Sequence, residues 1–223
     1  MSWVDYLRPL SQGAWVTIQL AVFSTLLGGV LSFAAGIGKI SSNWAIRAIA
    51  IVYIEVFRGT SLLVQLFWLY FALPIAGAAI GLDLRLPPVE AGVAALGLNI
   101  GAYGAEVVRG AIQAVRPAQH EAAAALNFTR RQALWRVILP QAIPEMMPSF
   151  GNLAVQNLKD TALASLISLG DLSFRAEQIR NYTQDSTTIY TMILFMYFGM
   201  ALVLTGGMRL LERGVSRWQR AGS

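Results

Sequence analysis

The sequence contains no cysteine, one histidine and few charged residues. It has 223 residues, of which 13% are charged and 56% are hydrophobic. The absence of cysteine excludes disulfides and thiolate metal sites, and the single histidine, His120, argues against a histidine-based zinc site. We therefore expect no metal site in this chain. Soluble domains carry about 25% charged residues, so the shortage of charge argues against a soluble protein.

Lysine is scarce as well, which bears on nucleotide binding. The two lysines are Lys39 and Lys159, and neither lies in a G-x-x-x-x-G-K-[ST] phosphate-binding loop. We therefore expect no ATP site and no cofactor in this chain. A membrane-embedded enzyme would need an intramembrane nucleophile–base pair or a metal cluster, and the sequence offers neither. The net charge of +5 does not indicate nucleic acid, because membrane topology accounts better for the distribution of the basic residues.

Apolar segments long enough to cross a bilayer dominate the chain. Because ~30 Å of hydrocarbon requires about 20 helical residues, we predict an all-α membrane protein with five transmembrane helices. The first apolar run has no basic region or cleavage site before it, so we expect an uncleaved helix. The predicted segments are residues 13–37, 46–73 (ending at Pro74), 89–108 (after Pro87 and Pro88), 146–169 and 187–211. The predicted domains are a terminal segment at 1–12, a membrane domain at 13–212 with a polar loop at about 115–145, and a tail at 213–223.

The distribution of basic residues predicts the orientation of these helices. With the N-terminus outside, the cytoplasmic loops and tail hold eleven Lys and Arg residues and the outer loops four. Since cytoplasmic loops carry the excess of positive charge, we predict an outside N-terminus and a cytoplasmic C-terminus. The polar loop between the third and fourth helices is then cytoplasmic.

This loop, "EAAAALNFTRRQALWRVILPQAIP", is predicted to form two short helices. Pro117 suits a first helical position, and Asn127 tolerates the left-handed conformation that ends a helix. Thr129 and Gln132 have the spacing of a capping box that opens a second helix, and Pro140 is expected to stop it. The alanines offer a flat surface that a partner can approach closely. The alternative is a hairpin that only joins two helices.

Ionisable and amide side chains within the second and third predicted helices need partners or a function. Glu55 and Arg58 have the spacing of an ion pair on one helix face, and Gln65 lies two turns further along, where it is a candidate cavity-lining residue. In the third helix, Glu106 and Arg109 have the spacing of a structural pair.

A polar stripe continues along that third helix. Asn99 and Tyr103 share a face with Glu106 and are candidates for lining a solute path. Gly97, Gly101 and Gly104 offer the alternative explanation, which is close packing of a neighbouring helix.

The fourth predicted helix carries the most polar face. Gln156, Lys159 and Asp160 lie on it, and Ser165 continues it. Neighbouring residues do not face each other on a helix, so Lys159 and Asp160 need not neutralise one another. They are either the cation and anion that recognise a zwitterionic solute or part of a salt bridge between subunits.

Several motifs resemble the permease subunits of binding-protein-dependent ABC importers, polar amino acid branch. They are "EAA" at Glu121–Ala122–Ala123 with Asn127 in place of the usual Gly, "ILP" at Ile138–Leu139–Pro140, "FRGTSLLVQLFWLYFALP", "LNIGAYGAEVVRGAIQAV" and "NLKDTALASLISLGDL". Ser61 replaces the Pro that commonly follows "RGT", which weakens the prediction of a helix break there.

The resemblance implies a type I ABC importer permease fold in the bacterial inner membrane. It implies coupling to a cytoplasmic ATPase dimer, which would bind ATP and Mg²⁺, through Glu121, Ala122, Ala123, Asn127, Ile138 and Pro140. It also implies a second permease subunit, identical or related, and an extracytoplasmic solute-binding protein. The solute is expected to be a small zwitterion, with most resemblance to ectoine and hydroxyectoine uptake. The alternative function is a self-standing channel or secondary transporter, although five helices do not divide into two matched halves.

Overall fold

Ten α-helices, joined in places by π-helical or 3₁₀ turns, form the part of the computed structural model that is described, residues 3–221. Residues 1–2 and 222–223, the outer ends of the predicted terminal segments, lie outside the described residues. The helices are α1 (Trp3–Lys39), α2 (Trp44–Gly59), α3 (Leu62–Phe67), α4 (Leu73–Ala79), α5 (Pro88–Ala114), α6 (Pro117–Ala125), α7 (Arg130–Ala133), α8 (Leu139–Asp160), α9 (Leu172–Thr183) and α10 (Ser186–Ala221).

α1 and α5 pack against each other at close range and form the centre of the bundle. A Cβ atom added at Gly104 of α5 would lie 2.8 Å from the Cβ of Ser32 in α1, which is too close for any residue but glycine. The Ser32 hydroxyl donates to the carbonyls of Gly28 and Gly101, at 2.6 and 3.3 Å, and so links the two helices. The glycines of α5 thus allow the close helix packing that the sequence suggested as their role.

Two hydrophobic clusters mark the two ends of the bundle. The cluster at one end joins the start of α1 to α9 and to the start of α10 through Tyr6, Leu10, Leu172, Ala176 and Ile189. The cluster at the other end contains Val108, Ile112, Ile138, Leu139, Ala142 and Met146. Because the polar loop and its helical hairpin lie here, this end is called the hairpin end below. α10 starts far from the hairpin end and runs towards it, so α1 begins and α10 finishes at opposite ends of the bundle.

Four of the described helical segments are long and apolar enough to cross a membrane. They are Tyr6–Lys39, Leu62–Ala79, Pro88–Ala114 and Ser186–Val215. The fourth predicted segment, residues 146–169, corresponds to α8 and a following 3₁₀ turn at Thr161–Ile167. The polar side chains of α8 make it less apolar than these four segments. A crossing by α8 therefore stays a prediction, and so does the total of five crossings.

The second predicted segment, residues 46–73, is wrong as one continuous helix. Thr60 and Ser61 are extended, with ψ angles of 156° and 134°, and they separate α2 from α3. The chain therefore breaks at the position where Ser61 replaces proline. The break lies beside the middle of α5, where the side chains described below satisfy its backbone groups.

Pro74 and Pro140 do not end their helices, contrary to the sequence-based expectation. In both cases a π-helical turn precedes the proline by two residues, at Trp68–Ala72 and at Leu134–Ile138. The N–H of Leu73 donates to the carbonyl of Trp68, and that of Leu139 to the carbonyl of Leu134. Proline cannot donate a backbone hydrogen bond, and its ring clashes with the preceding turn of an α-helix. The wider π-helical turn makes room for the ring, so each helix continues past its proline.

Candidate functional site

Two amide side chains satisfy the backbone at the break between α2 and α3. Gln65 is buried, and its Nε2 donates to the carbonyls of Phe57 and Thr60, at 2.9 and 3.2 Å, and to the Thr60 hydroxyl at 2.8 Å. Asn99 of α5 donates through Nδ2 to the Phe57 carbonyl and to Gln65 Oε1, both at 3.1 Å. Irregular backbone at membrane depth requires such internal partners. The predicted solute-path residues Gln65 and Asn99 therefore hold the break in place.

Glu106 is the centre of an ionic network at the hairpin end. Its carboxylate lies 2.5 Å from Lys39 Nζ, 2.7 Å from Arg109 Nη2 and 3.9 Å from Arg58 Nη1. Lys39 also lies 3.6 Å from Glu55. These contacts tie the end of α1 to α2 and α5. The contribution of Lys39 is not visible in the sequence, because 67 residues separate it from Glu106.

The expected pairing of Glu55 with Arg58 is wrong, because the structure gives the two residues different partners. Glu55 faces Lys39 of α1, whereas Arg58 faces Glu106 of α5. Arg58 also lies over the ring of Tyr103, 5.4 Å from its centroid. Tyr103 is 41% exposed and the Arg58 side chain 38%, so this arginine–tyrosine pair is open to the surroundings.

The polar face of α8 is open at its end. Gln156 donates to Asp160 Oδ1 at 2.9 Å, and the ammonium of Lys159 is exposed. Among the described residues, no carboxylate lies within salt-bridge distance of Lys159. Ser165, in the 3₁₀ turn, donates to the Ala162 carbonyl at 2.7 Å. The chain thus supplies one exposed lysine next to one half-buried aspartate, and their charges attract each other without a direct salt bridge.

Asn157 holds α8 against α1, a role that sequence reasoning missed. Its Nδ2 donates to the hydroxyls of Ser24 and Thr25, at 2.7 and 2.9 Å. The residue is 3% exposed. It lies about 100° around α8 from its neighbour, exposed Gln156. The available signal in the sequence was a polar residue one position off the predicted stripe.

Asp171 is a second buried polar residue that sequence reasoning missed. Its carboxylate accepts from the backbone N–H groups of Ser173 and Phe174, at 3.3 and 3.0 Å, and so caps α9. Because the residue is fully buried, desolvation raises the pKa of the Asp171 carboxyl to about 6 despite these hydrogen bonds. The position of an aspartate just before a helix was the available signal.

The polar loop turns at Asn127 between two helices, as predicted, but the second is not a short separate helix, because α7 continues through the π-helical turn into α8. α6, α7 and this π-helical turn are called the coupling hairpin below. The N–H of Phe128 donates to the Ala123 carbonyl, and that of Asn127 to the Ala124 carbonyl, at 3.0 and 2.9 Å. This is the Schellman pattern, and Asn127 has the left-handed φ of 56° that it requires. Thr129 and Gln132 form the predicted capping box.

The coupling hairpin has a buried and an open side. Ala123 and Ile138 are each 1% exposed and pack into the bundle. Gln141 of α8 donates to Gln119 of α6 at 3.2 Å, which fixes the first short helix to the bundle. The open side carries Glu121, Ala122, Ala124, Ala125 and Leu126. A flat, apolar and firmly supported surface of this kind suits contact with another protein.

The sequence matches one protein-family model over most of its length. The model describes the binding-protein-dependent transport system inner membrane component, and it matches residues 24–217. This range contains the helix break, the ionic network, the polar face of α8 and the coupling hairpin.

Relatives over nearly the whole chain include transport proteins of bacteria. The probable amino-acid ABC transporter permease protein y4tF of Sinorhizobium fredii is 68% identical over 98% of this chain and 92% of that protein. The glutamine transport system permease protein GlnP of Escherichia coli is 35% identical over 92% of this chain and 91% of that protein.

Solved structures show the same arrangement of helices. A crystal structure of an amino acid ABC transporter with histidines superposes with a TM-score of 0.84, at 37% identity, covering 94% of this chain and 95% of that one. An inward-facing structure of the MetNI methionine ABC transporter superposes with a TM-score of 0.76 at 19% identity, covering 96% of this chain and 99% of that one. Because the second structure is only 19% identical, its similarity shows a shared fold alone.

Proposed function

The chain belongs to the family of binding-protein-dependent transport system inner membrane components, and we propose that it is the permease subunit of an ATP-driven importer for a small zwitterionic solute. Two relatives, a probable amino-acid permease and a glutamine permease, support an amino acid as the solute class. An ectoine-type compatible solute is the narrower form of this proposal, supported by the resemblance of Phe57–Pro74 alone.

The observation that carries the proposal is the open side of the coupling hairpin. Ala122, Ala124 and Ala125 leave backbone close to the surface, while buried Ala123 anchors the helix. A cytoplasmic ATPase dimer that fits this surface would move the hairpin as a rigid body. ATP and Mg²⁺ would bind to those ATPase subunits, and this chain would contribute no catalytic or metal-binding residue.

The proposed topology has the N-terminus outside, five crossings and the coupling hairpin in the cytoplasm. Its support is the excess of Lys and Arg in the loops of the hairpin end and the placement of the two described chain ends at opposite ends of the bundle. α2 and α3 together would make one broken crossing, and α8 would make the fourth. We assign residues 1–12 to the outside, 13–212 to the membrane domain and 213–223 to a cytoplasmic tail of a bacterial inner-membrane protein.

The proposed solute path follows the polar groups that remain open. Tyr103, Gln156, Lys159 and Asp160 would contact the solute, with Ser165 near its entrance. Gln65 and Asn99 would support the path by holding the helix break. A second permease subunit, identical or related, would complete the enclosure, and an extracytoplasmic binding protein would deliver the solute. Lys159 and Asp160 suit the carboxylate and ammonium of a zwitterion.

The test is reconstitution of the permease in liposomes with its ATPase and binding protein. We expect uptake of a labelled amino acid that requires all three components and ATP. A bulky Ala122→Trp change should abolish the link between ATP hydrolysis and uptake without loss of the protein from the membrane, because the ATPase could no longer approach the hairpin. Ala79→Trp, also exposed but on α4, is the matched control and should transport normally.

Two outcomes would contradict the proposal. Uptake that proceeds without the ATPase would indicate a channel or a secondary transporter. Normal coupling in Ala122→Trp would remove the hairpin from the mechanism. A panel containing glutamine, a basic amino acid and ectoine then identifies the solute class.

A further inference from the structure

A groove with an apolar floor lies at the hairpin end, between the turn that joins α1 to α2 and the coupling hairpin. Its volume is about 790 Å³, within the range of small-molecule sites. The floor is formed by Ile37, Ile40, Ile46, Ile112, Leu134 and Ile138. A floor of this composition suits a hydrocarbon chain and offers nothing to a polar metabolite.

The rim of the same groove is basic. Arg130, Arg131 and His120 line it together with the hydroxyl of Ser42 and the exposed ring of Trp135. Arg130 Nη1 donates to Ser42 Oγ at 3.2 Å, which holds the guanidinium at the mouth. No aspartate or glutamate is among the described residues that line the groove. The rim therefore attracts an anion, and tryptophan is the side chain that prefers the membrane–water boundary.

A second, smaller groove of about 320 Å³ lies next to the first, along α1 and α2. The two grooves share Ile46, and the second is lined by Leu31, Ala34, Gly38, Ala50 and Leu98 among others. The hydroxyl of Tyr53, which also lines it, donates to the Leu98 carbonyl at 2.7 Å. The lining is thus apolar in effect, and it runs beside the part of α1 that is long and apolar enough to lie in a membrane.

We propose that these two grooves bind an anionic phospholipid. Its phosphate would lie at Arg130 and Arg131, and one acyl chain would follow the isoleucine floor into the groove beside α1. Basic pockets next to membrane helices recognise anionic headgroups, and the adjoining apolar groove distinguishes a lipid from a soluble anion. A cytoplasmic protein would cover the rim but would not reach between α1 and α2. The inference requires only that the hairpin end lies at a membrane surface.

The full-length permease, purified in detergent, allows a direct test by native mass spectrometry. We expect it to retain phosphatidylglycerol in preference to phosphatidylcholine. Arg130→Gln with Arg131→Gln should reduce retention of phosphatidylglycerol about tenfold, since each basic residue near an anionic headgroup contributes favourably. The matched control, Arg209→Gln with Arg213→Gln, removes the same charge from exposed positions on α10 and should leave retention unchanged.

A change without any effect on charge tests the acyl-chain part of the site. Ala34→Phe fills the smaller groove and should weaken retention of phosphatidylglycerol while the arginines remain. The proposal is overturned if the two double variants bind phosphatidylglycerol equally. It is also overturned if an excess of soluble glycerol phosphate displaces the lipid, which would indicate a simple anion site, or if binding of the ATPase expels it, which would indicate a protein-docking surface. None of these results depends on transport activity.

Discussion

The helix break at Thr60–Ser61 and the hairpin turn at Asn127 interrupt helices in two different ways. At the break, the amide groups of Gln65 and Asn99 reach the carbonyls of Phe57 and Thr60, and Asn99 comes from a distant part of the chain. At the turn, neighbouring backbone groups satisfy each other. An interruption at membrane depth, where we propose that the break lies, needs side chains from elsewhere because water is absent, whereas one in a loop outside the membrane is stable with local hydrogen bonds.

Substitution of buried Gln65 tests the break between α2 and α3 and should have the largest effect. Gln65→Leu keeps the volume but removes the donor of the Thr60 carbonyl and one of the two donors of the Phe57 carbonyl, and it takes an acceptor from Asn99. We expect a loss of about 4 kcal/mol in the free energy of unfolding, because buried unsatisfied groups cost about 1–3 kcal/mol each. Thermal unfolding in detergent measures it. The control Asn152→Leu removes one exposed amide of α8 and should cost about 0.5 kcal/mol or less; equal losses in both variants would contradict the structural role of Gln65.

The same contrast explains how much of the fold the sequence predicts. The turn at Asn127 and the capping box of Thr129 and Gln132 are local, so their spacing alone identifies them. The break is not local, since 34 residues separate Gln65 from Asn99. Without that contact, the segment from 46 to 73 reads as one helix.

The prolines and the ionic network follow the same rule. A π-helical turn before Pro74 or Pro140 depends on how the helix packs, so the usual rule that proline ends a helix predicts the wrong boundary. The partners of Glu55 and Arg58 lie on other helices, and spacing within one helix therefore suggests a pair that does not form. The apolar segments were sufficient for the class of fold, and the resemblance of motifs such as Glu121–Ala122–Ala123 was sufficient for the family.

Asp171 lies between the two cases, because its cap is local but its surroundings are buried. Burial raises its pKa from the ordinary value of 3.8 to about 6, so the folded protein favours the protonated carboxyl. Its contribution to stability is present below about pH 4 and is lost as the pH rises through about 6. We expect the free energy of unfolding to fall by about 3 kcal/mol over that window.

The variant Asp171→Asn checks this pH dependence, because it retains an acceptor oxygen for α9 and cannot ionise. Its unfolding midpoint should be nearly constant between pH 4 and 7, whereas that of the parent protein falls. Asp185 is the matched control: its hydrogen bonds with Thr188 lower the pKa of its carboxyl, so it is ionised throughout this window. Asp185→Asn should keep the pH dependence of the parent. A flat profile for Asp185→Asn would show that the pH dependence does not belong to Asp171.

Asn127 gives the smallest effect and the clearest separation between the two interruptions. Its left-handed φ of 56° suits asparagine or glycine, whereas a β-branched residue there costs about 2 kcal/mol. Because the turn is exposed and its hydrogen bonds are local, we expect Asn127→Val to distort the hairpin while the unfolding midpoint of the bundle moves little. ATP-dependent uptake should fall in Asn127→Val. It should remain normal in Asn127→Gly, since glycine adopts the same conformation without strain. If Asn127→Val instead lowers the unfolding midpoint as much as Gln65→Leu does, the turn is part of the cooperative core, and the distinction between an interruption held by local bonds and one held by distant side chains fails.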